Sequence, residues 1–225
     1  MNTTLEKLLQ NQKNIKVIES LIDYKDYVAL DLSVNHTDKL DLDLTDALIF
    51  EEFIEKHLSN NMAKVAFGGY LETRNLYKRS TVFKNETTAE RNIHIGLDLW
   101  IKAGTPVLAA LDGTIHSFQN NTALGDYGPT IVLEHTIENI TFYTLYGHLS
   151  LESLMEKEVG QIIKKQEQIA TLGAPPINGD YAPHLHFQII KDLQDKKGDY
   201  PGVCSKNEVA FYTKNCPNPN WLLGI

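Results

Sequence analysis

The chain is 225 residues long, with 42% hydrophobic residues, 22% charged residues and 14 glycines, a globular composition with enough length to bury a real core. Its net charge of -8, from 21 basic and 29 acidic residues with no basic stripe, argues against binding nucleic acid or an anionic membrane surface. No stretch approaches the roughly 20 apolar residues of a membrane span. The opening MNTTLEKLLQNQKNIKVIES lacks the apolar run of a signal peptide. With Met1 as the natural start the expected location is cytoplasmic; with a signal already removed it is periplasmic or secreted.

In chain order, TLEKLLQNQ and TDALIFEEFIEKHLSNN have helical spacing, the second with Ile49, Phe50, Phe53, Ile54 and Leu58 on one stripe and Asn60 and Asn61 as its stop. YVALDLSV between them reads as a strand. Residues 1–64 are therefore expected to form a small α/β appendage. From residue 65 onward short β-type runs recur between glycine turns: IHIGLDLWI, TPVLAALDGTI, PTIVLEH, ITFYTLYGHL, QIIKKQEQIATLG and HLHFQII. These predict a mainly β domain over 65–225, an antiparallel sandwich or barrel. AGTPVLAALDGTI and VGQIIKKQEQIATLG share a coarse plan that suggests internal duplication. The tail YPGVCSKNEVAFYTKNCPNPNWLLGI reads as irregular structure anchored by Trp221, with Cys204 and Cys216 as reduced thiols.

Strict alternation in NIHIGLDLW puts Ile93, Ile95, Leu97 and Leu99 on one face of a strand and His94, Gly96 and Asp98 on the other, the glycine leaving space for an ion. In HLHFQII the same rule puts His184, His186 and Gln188 opposite Leu185, Phe187 and Ile189. His148 follows a strand and a glycine, where a side chain can lean over a site. With 8 histidines in the chain, neither HxxxD nor HxH is rare alone. Their conjunction is what matters, because burial gives no reason for ligand-type residues on both polar faces. His94, Asp98 and one member of the HxH pair make three N/O ligands, the number of a catalytic zinc site with an open fourth position. The two remaining histidines suit proton transfer and oxyanion stabilisation. His116 and His135 read as structural and His36 and His57 as solvated. Tyr70, Glu72 and Arg74 read as a solvated edge, with groove lining as the alternative.

HIGLD, YGHLS and PHLHF, in that order, with AGTPVLAALDGTI, GDYGPTIVLEH and VGQIIKKQEQIATLG between them, resemble the lysostaphin/LytM-type zinc metallopeptidases, peptidoglycan DD-endopeptidases with a duplicated hybrid motif, a barrel-sandwich β fold. The resemblance spans about Glu90 to Ile190. It implies Zn2+ bound by His94, Asp98 and His186, with His148 and His184 as the catalytic pair, and a peptide or peptidoglycan-like substrate with small residues at the cleaved bond. Gln166 and Ala170 stand where the family usually has glycines, Gln188 where it commonly has glutamate, and the loop APPINGDYAPHLHF is reshaped. Segments 68–78 and 175–183 are expected to border the groove, and an inhibitory Asn75 over the metal is an alternative drawn from some relatives. A non-catalytic regulator or binding module on the same fold is the competing function; a lipoyl- or biotinyl-type carrier lacks its hairpin lysine.

Overall fold

The structure, a computed structural model, describes residues 4–76 and 90–225. The chain enters through α1 (Leu5–Gln10), β1 (Tyr27–Ala29), α2 (Val34–Thr37), α3 (Ala47–Asn60) and β2 (Val65–Gly68). Ten strands follow among the described residues: β3 (Arg91–His94), β4 (Leu97–Trp100), β5 (Pro106–Leu108), β6 (Gly113–Asn121), β7 (Gly128–Ile137), β8 (Ile140–Gly147), β9 (Ile162–Ile163), β10 (Gln168–Thr171), β11 (His184–Ile190) and β12 (Val203–Ser205). Two short helices, α4 (Val209–Asn215) and α5 (Asn220–Leu223), end the chain. The fold is mainly β, as expected. Among the described residues no helix is long and apolar enough to cross a membrane.

One eight-stranded sheet runs in the order β1-β2-β4-β11-β8-β7-β6-β9, antiparallel except for β1 on β2. The hairpin β7–β8 closes on Glu138 and Asn139, both at positive φ (49° and 65°). That is the handedness a two-residue hairpin turn needs to match strand twist. The two segments with a shared plan lie against each other: β10 pairs β5, and β9 pairs the start of β6. Gln166, in a usual glycine position, sits at φ 66°, the left-handed conformation that explains why glycine is favoured there. Its side chain is tied down by a bond from Nε2 to the Asn14 carbonyl, 2.8 Å.

The helix over 47–60 forms as its spacing predicts, and Asp46 caps it by accepting from the Leu48 and Ile49 amides. Its buried stripe is narrower than expected. Phe50 and Ile54 are buried against Trp100 and Ala66, Phe53 and Leu58 are partly buried, and Ile49 is exposed. In space, the first residues share the core of the β strands: Leu5, Leu9, Ile15, Val17 and Ile18 pack in one cluster with Leu99, Ile131, Phe187, Leu222 and Leu223.

Two expectations are corrected. The tail is not irregular, since it holds β12, α4 and α5, and its anchors are Leu222 and Leu223; the Trp221 ring is 38% exposed. Consecutive Asn220, Trp221 and Leu222 point around a helix, so only part of that run can face the core. HIGLDLW is not one strand either. The chain breaks at Ile95–Gly96, so that β3 pairs with β12 in a separate two-stranded sheet while β4 lies inside the large one. Ile95 accordingly packs with Tyr127, Leu145 and Tyr200, away from the cluster that holds Leu97 and Leu99.

Candidate metal centre

That break is what brings His94 and Asp98 together. On a continuous strand four residues span about 13 Å, too far for two side chains to meet at one atom. With the bend, His94 Nε2 lies 3.3 Å from Asp98 Oδ1. His186 is the cross-strand neighbour of Asp98 in the β4–β11 pair and puts its Nδ1 3.1 Å from the same oxygen and 3.0 Å from His94 Nε2. Gly96 provides the room, but for a side chain: a Cβ there would lie 2.4 and 2.5 Å from His186 Cε1 and Nε2. The space expected for an ion belongs to the His186 ring.

Each ring's other nitrogen is committed to an acceptor. His94 Nδ1–H donates to the Gly69 carbonyl (2.9 Å), and His186 Nε2–H to Gln188 Oε1 (2.9 Å). Gln188 is fixed in turn, its amide donating to the Pro201 carbonyl and to Cys216 Sγ. The neutral tautomers therefore aim lone pairs at each other, a repulsive pairing unless a proton or a cation lies between them. Three donors at mutual distances of 3.0, 3.1 and 3.3 Å compare with about 3.3 Å between tetrahedral ligands held about 2.0–2.1 Å from a zinc ion. The residues present fit that metal.

His148 and His184 stand beside this trio with ring centroids 4.2 Å apart. His148 begins just past β8 at φ 63°, and Gly147 before it admits the Tyr127 ring, which a Cβ would meet at 2.7 Å. Its Nδ1–H donates to the Asn178 carbonyl and that of His184 to the Ala182 carbonyl, both at 2.7 Å. Both acceptors come from the loop 175–183, so the reshaped loop sets the orientation of both rings. His184 Nε2 faces the centre, 3.9 Å from Asp98 Oδ1, and its ring stacks on Trp100.

None of the five residues is more than 5% exposed, and burial bears on the charges of His94, Asp98, His148 and His184. It pulls His94 down to about 4, with Arg74 and His186 adding to it against the pull of Asp98. Burial and the neighbouring rings of His184 and His186 hold His148 well below the usual imidazole range; His184 is also lowered, mainly by burial. For Asp98 burial opposes ionisation, but His94, Arg74 and His186 together outweigh it and keep the carboxyl well below its ordinary value. A neutral His94 beside an ionised Asp98 is the pair of protonation states that a metal requires of such ligands.

Residues 92–199 match the peptidase family M23. The chain carries a peptidase family M23 domain. Over 105 residues it is 35% identical to a protein of Haemophilus influenzae described as an uncharacterized metalloprotease, a match covering 47% of this chain and 20% of that protein. Over 104 residues it is 30% identical to the peptidoglycan DD-endopeptidase ShyC of Vibrio cholerae, covering 46% of this chain and 21% of the relative. The match thus spans about a fifth of these relatives' length. Among solved structures, the catalytic domain of the antimicrobial peptidase lysostaphin from Staphylococcus simulans aligns at 25% identity and TM-score 0.38, over 54% of this chain and 80% of that one. The M23 domain encloses every residue of the trio and the histidine pair, whereas the walls over them come partly from outside it.

Arg74 is such a wall. Expected on a solvated edge, it is 3% exposed and donates from Nη1 to Asp98 Oδ2 at 2.6 Å. Asn75 does not reach the centre: its amide bonds Asp38, 2.7 Å away. Tyr77 and Lys78 of the expected bordering segment lie outside the described residues. Sequence reasoning also missed Tyr127, whose hydroxyl is 3.3 Å from His186 Nε2, and Asn178. A tyrosine or asparagine in a loop carries no spacing signal; what seats these two is the packing of their loops beside the histidines, which exists only in the fold. His135 is structural, bonded to the Asp112 carbonyl and Thr144, and His36 is exposed.

Proposed function

We propose that the M23 domain is a zinc-dependent metallohydrolase, an endopeptidase that cleaves small-residue peptide bonds of the peptidoglycan cross-link type or a related peptide. The observation that carries this reading is the triangle of His94 Nε2, His186 Nδ1 and Asp98 Oδ1, whose edges suit one tetrahedral zinc. Bound there, zinc would acidify a water and polarise the scissile carbonyl.

The chain's own residues supply the rest. His148 and His184 keep their Nδ1 protons on carbonyl oxygens, which leaves each Nε2 to take a proton from the attacking water or to donate one. Between them the two Nε2 atoms accept the proton of the attacking water, set the imidazolium so formed against the developing oxyanion, and return the same proton to the departing amine. Trp100 and Tyr127 flank the rings and exclude bulk water, which strengthens every charge interaction inside. Support for a peptide substrate comes from the metalloprotease and DD-endopeptidase relatives.

The purified protein is expected to hold about one zinc per chain, and His94→Ala or His186→Ala to remove it along with hydrolysis of peptidoglycan cross-link peptides. Full metal occupancy in both variants would refute the ligand assignment. Retained zinc with no hydrolysis of any peptide library would favour the non-catalytic regulator.

A further inference from the structure

Arg74 is delivered to the centre by a short ladder. The Leu71 amide donates to the His94 carbonyl (2.8 Å), the His94 amide to the Glu72 carbonyl (2.9 Å), and the Arg74 amide to the Asn92 carbonyl (2.9 Å). Segment 71–74 therefore runs antiparallel to β3 and carries the guanidinium over Asp98. Nη1 donates to Asp98 Oδ2 and Nε to Glu72 Oε2, both at 2.6 Å. Glu72 is itself fixed, its Oε1 accepting the Leu32 amide at 3.0 Å. The Trp100 ring centroid is 5.6 Å from Arg74 Cζ. Gly69, at φ 104°, forms the cradle: a Cβ there would lie 1.9 Å from Arg74 Nη2.

We propose that Arg74 is a positioning residue for Asp98, which commits the carboxylate to the metal through Oδ1 alone. The inference rests on the zinc reading above. A carboxylate can bind a metal by one oxygen or by both, and the choice sets how many positions stay open for water and substrate. Here Oδ1 points at the two imidazole nitrogens and Oδ2 is held by the guanidinium. Glu72 accepts from Nε at the other end of the guanidinium and fixes its plane. What Arg74 adds is orientation: a planar fork holds two carboxylates in a fixed relation, which a single ammonium cannot do.

The test uses the full chain and zinc alone, with affinity read by competition against a chromophoric chelator and coordination read from the visible absorption of the cobalt-substituted protein. Arg74→Met is expected to weaken zinc by about 10- to 100-fold. Its cobalt bands should lose intensity as Asp98 engages through both oxygens and the coordination number rises. Arg74→Lys should recover part of the affinity. Should Arg74→Met fail to fold by circular dichroism, Arg74→Lys and Glu72→Gln, which loosen the same contact, are expected to move affinity and spectrum in the same directions by less. Affinity within about twofold of wild type and an unchanged cobalt spectrum in the folded variants would overturn the proposal. A wild-type chain that takes up no zinc would overturn the metal reading itself, and this inference with it.

Discussion

The hydrogen at Gly96 marks where the His186 ring passes, and this single contact separates the geometry of the centre from its chemistry. Adding a methyl group at 2.4 Å from Cε1 forces the imidazole off the line to Asp98 while leaving every donor atom in the chain. Gly96→Ala is therefore expected to fold, losing about 1–3 kcal/mol to overpacking, yet to bind zinc at least about 10-fold more weakly, as measured by chelator competition. Wild-type affinity in that variant would mean that His186 is not held as described. At this scale much was legible. HxxxD and HxH name the residue types, because nothing but chemistry asks for imidazole and carboxylate opposite an apolar face. Arg74 was not legible. It lies 24 residues before Asp98 with no periodic relation to it, and an arginine before a strand is ordinarily solvated.

At the level of elements, the alternation in NIHIGLDLW was read correctly as β and wrongly as one strand. Period-2 patterning reports that successive side chains oppose one another; it does not report which partner each half acquires. β3 joins β12 and β4 joins β11, pairings of long sequence separation that leave no local mark. The pair β7–β8 shows what local signals do reach, since PTIVLEH and ITFYTLYGHL both read as strands. It also carries a titratable core residue. His135 donates or accepts on both ring nitrogens, to the Asp112 carbonyl and to Thr144, and burial pulls its pKa from 6.5 to about 4. The unfolded chain takes up a proton near 6.5 and the folded ring resists until about 4. His135 thus contributes stability that is fully present above 6.5 and is lost as pH falls toward 4, by about 3 kcal/mol. Urea midpoints measured in chelator at pH 7 and pH 4.5 should fall further for wild type than for His135→Gln. Equal losses would remove His135 from the account of acid sensitivity.

For the whole molecule, the change in character near residue 65 was visible, but its spatial meaning was not. Leu9 and Ile18 are fully buried among strand residues, beside Leu222 and Leu223 from the far end of the chain. Phe50 packs edge-on against Trp100, 6.4 Å between centroids, and so backs the ring on which His184 stacks. Helical periodicity tells which face of a segment is apolar and not what that face will meet. Leu9→Ala is expected to lower the unfolding free energy of the entire cooperative transition by about 2–5 kcal/mol. A separate early transition, with the main one unmoved, would instead assign those residues to an independent unit.

The central claim is that a trio split between a bent strand pair and its neighbour, His94, Asp98 and His186, binds one zinc. Zinc K-edge X-ray absorption on the metal-loaded full chain tests this most directly. The account predicts about one zinc per chain with nitrogen and oxygen neighbours only, about 2.0–2.2 Å away, and scattering from two imidazoles. Failure to load zinc, or a sulfur neighbour at about 2.3 Å from Cys204 or Cys216, would contradict it.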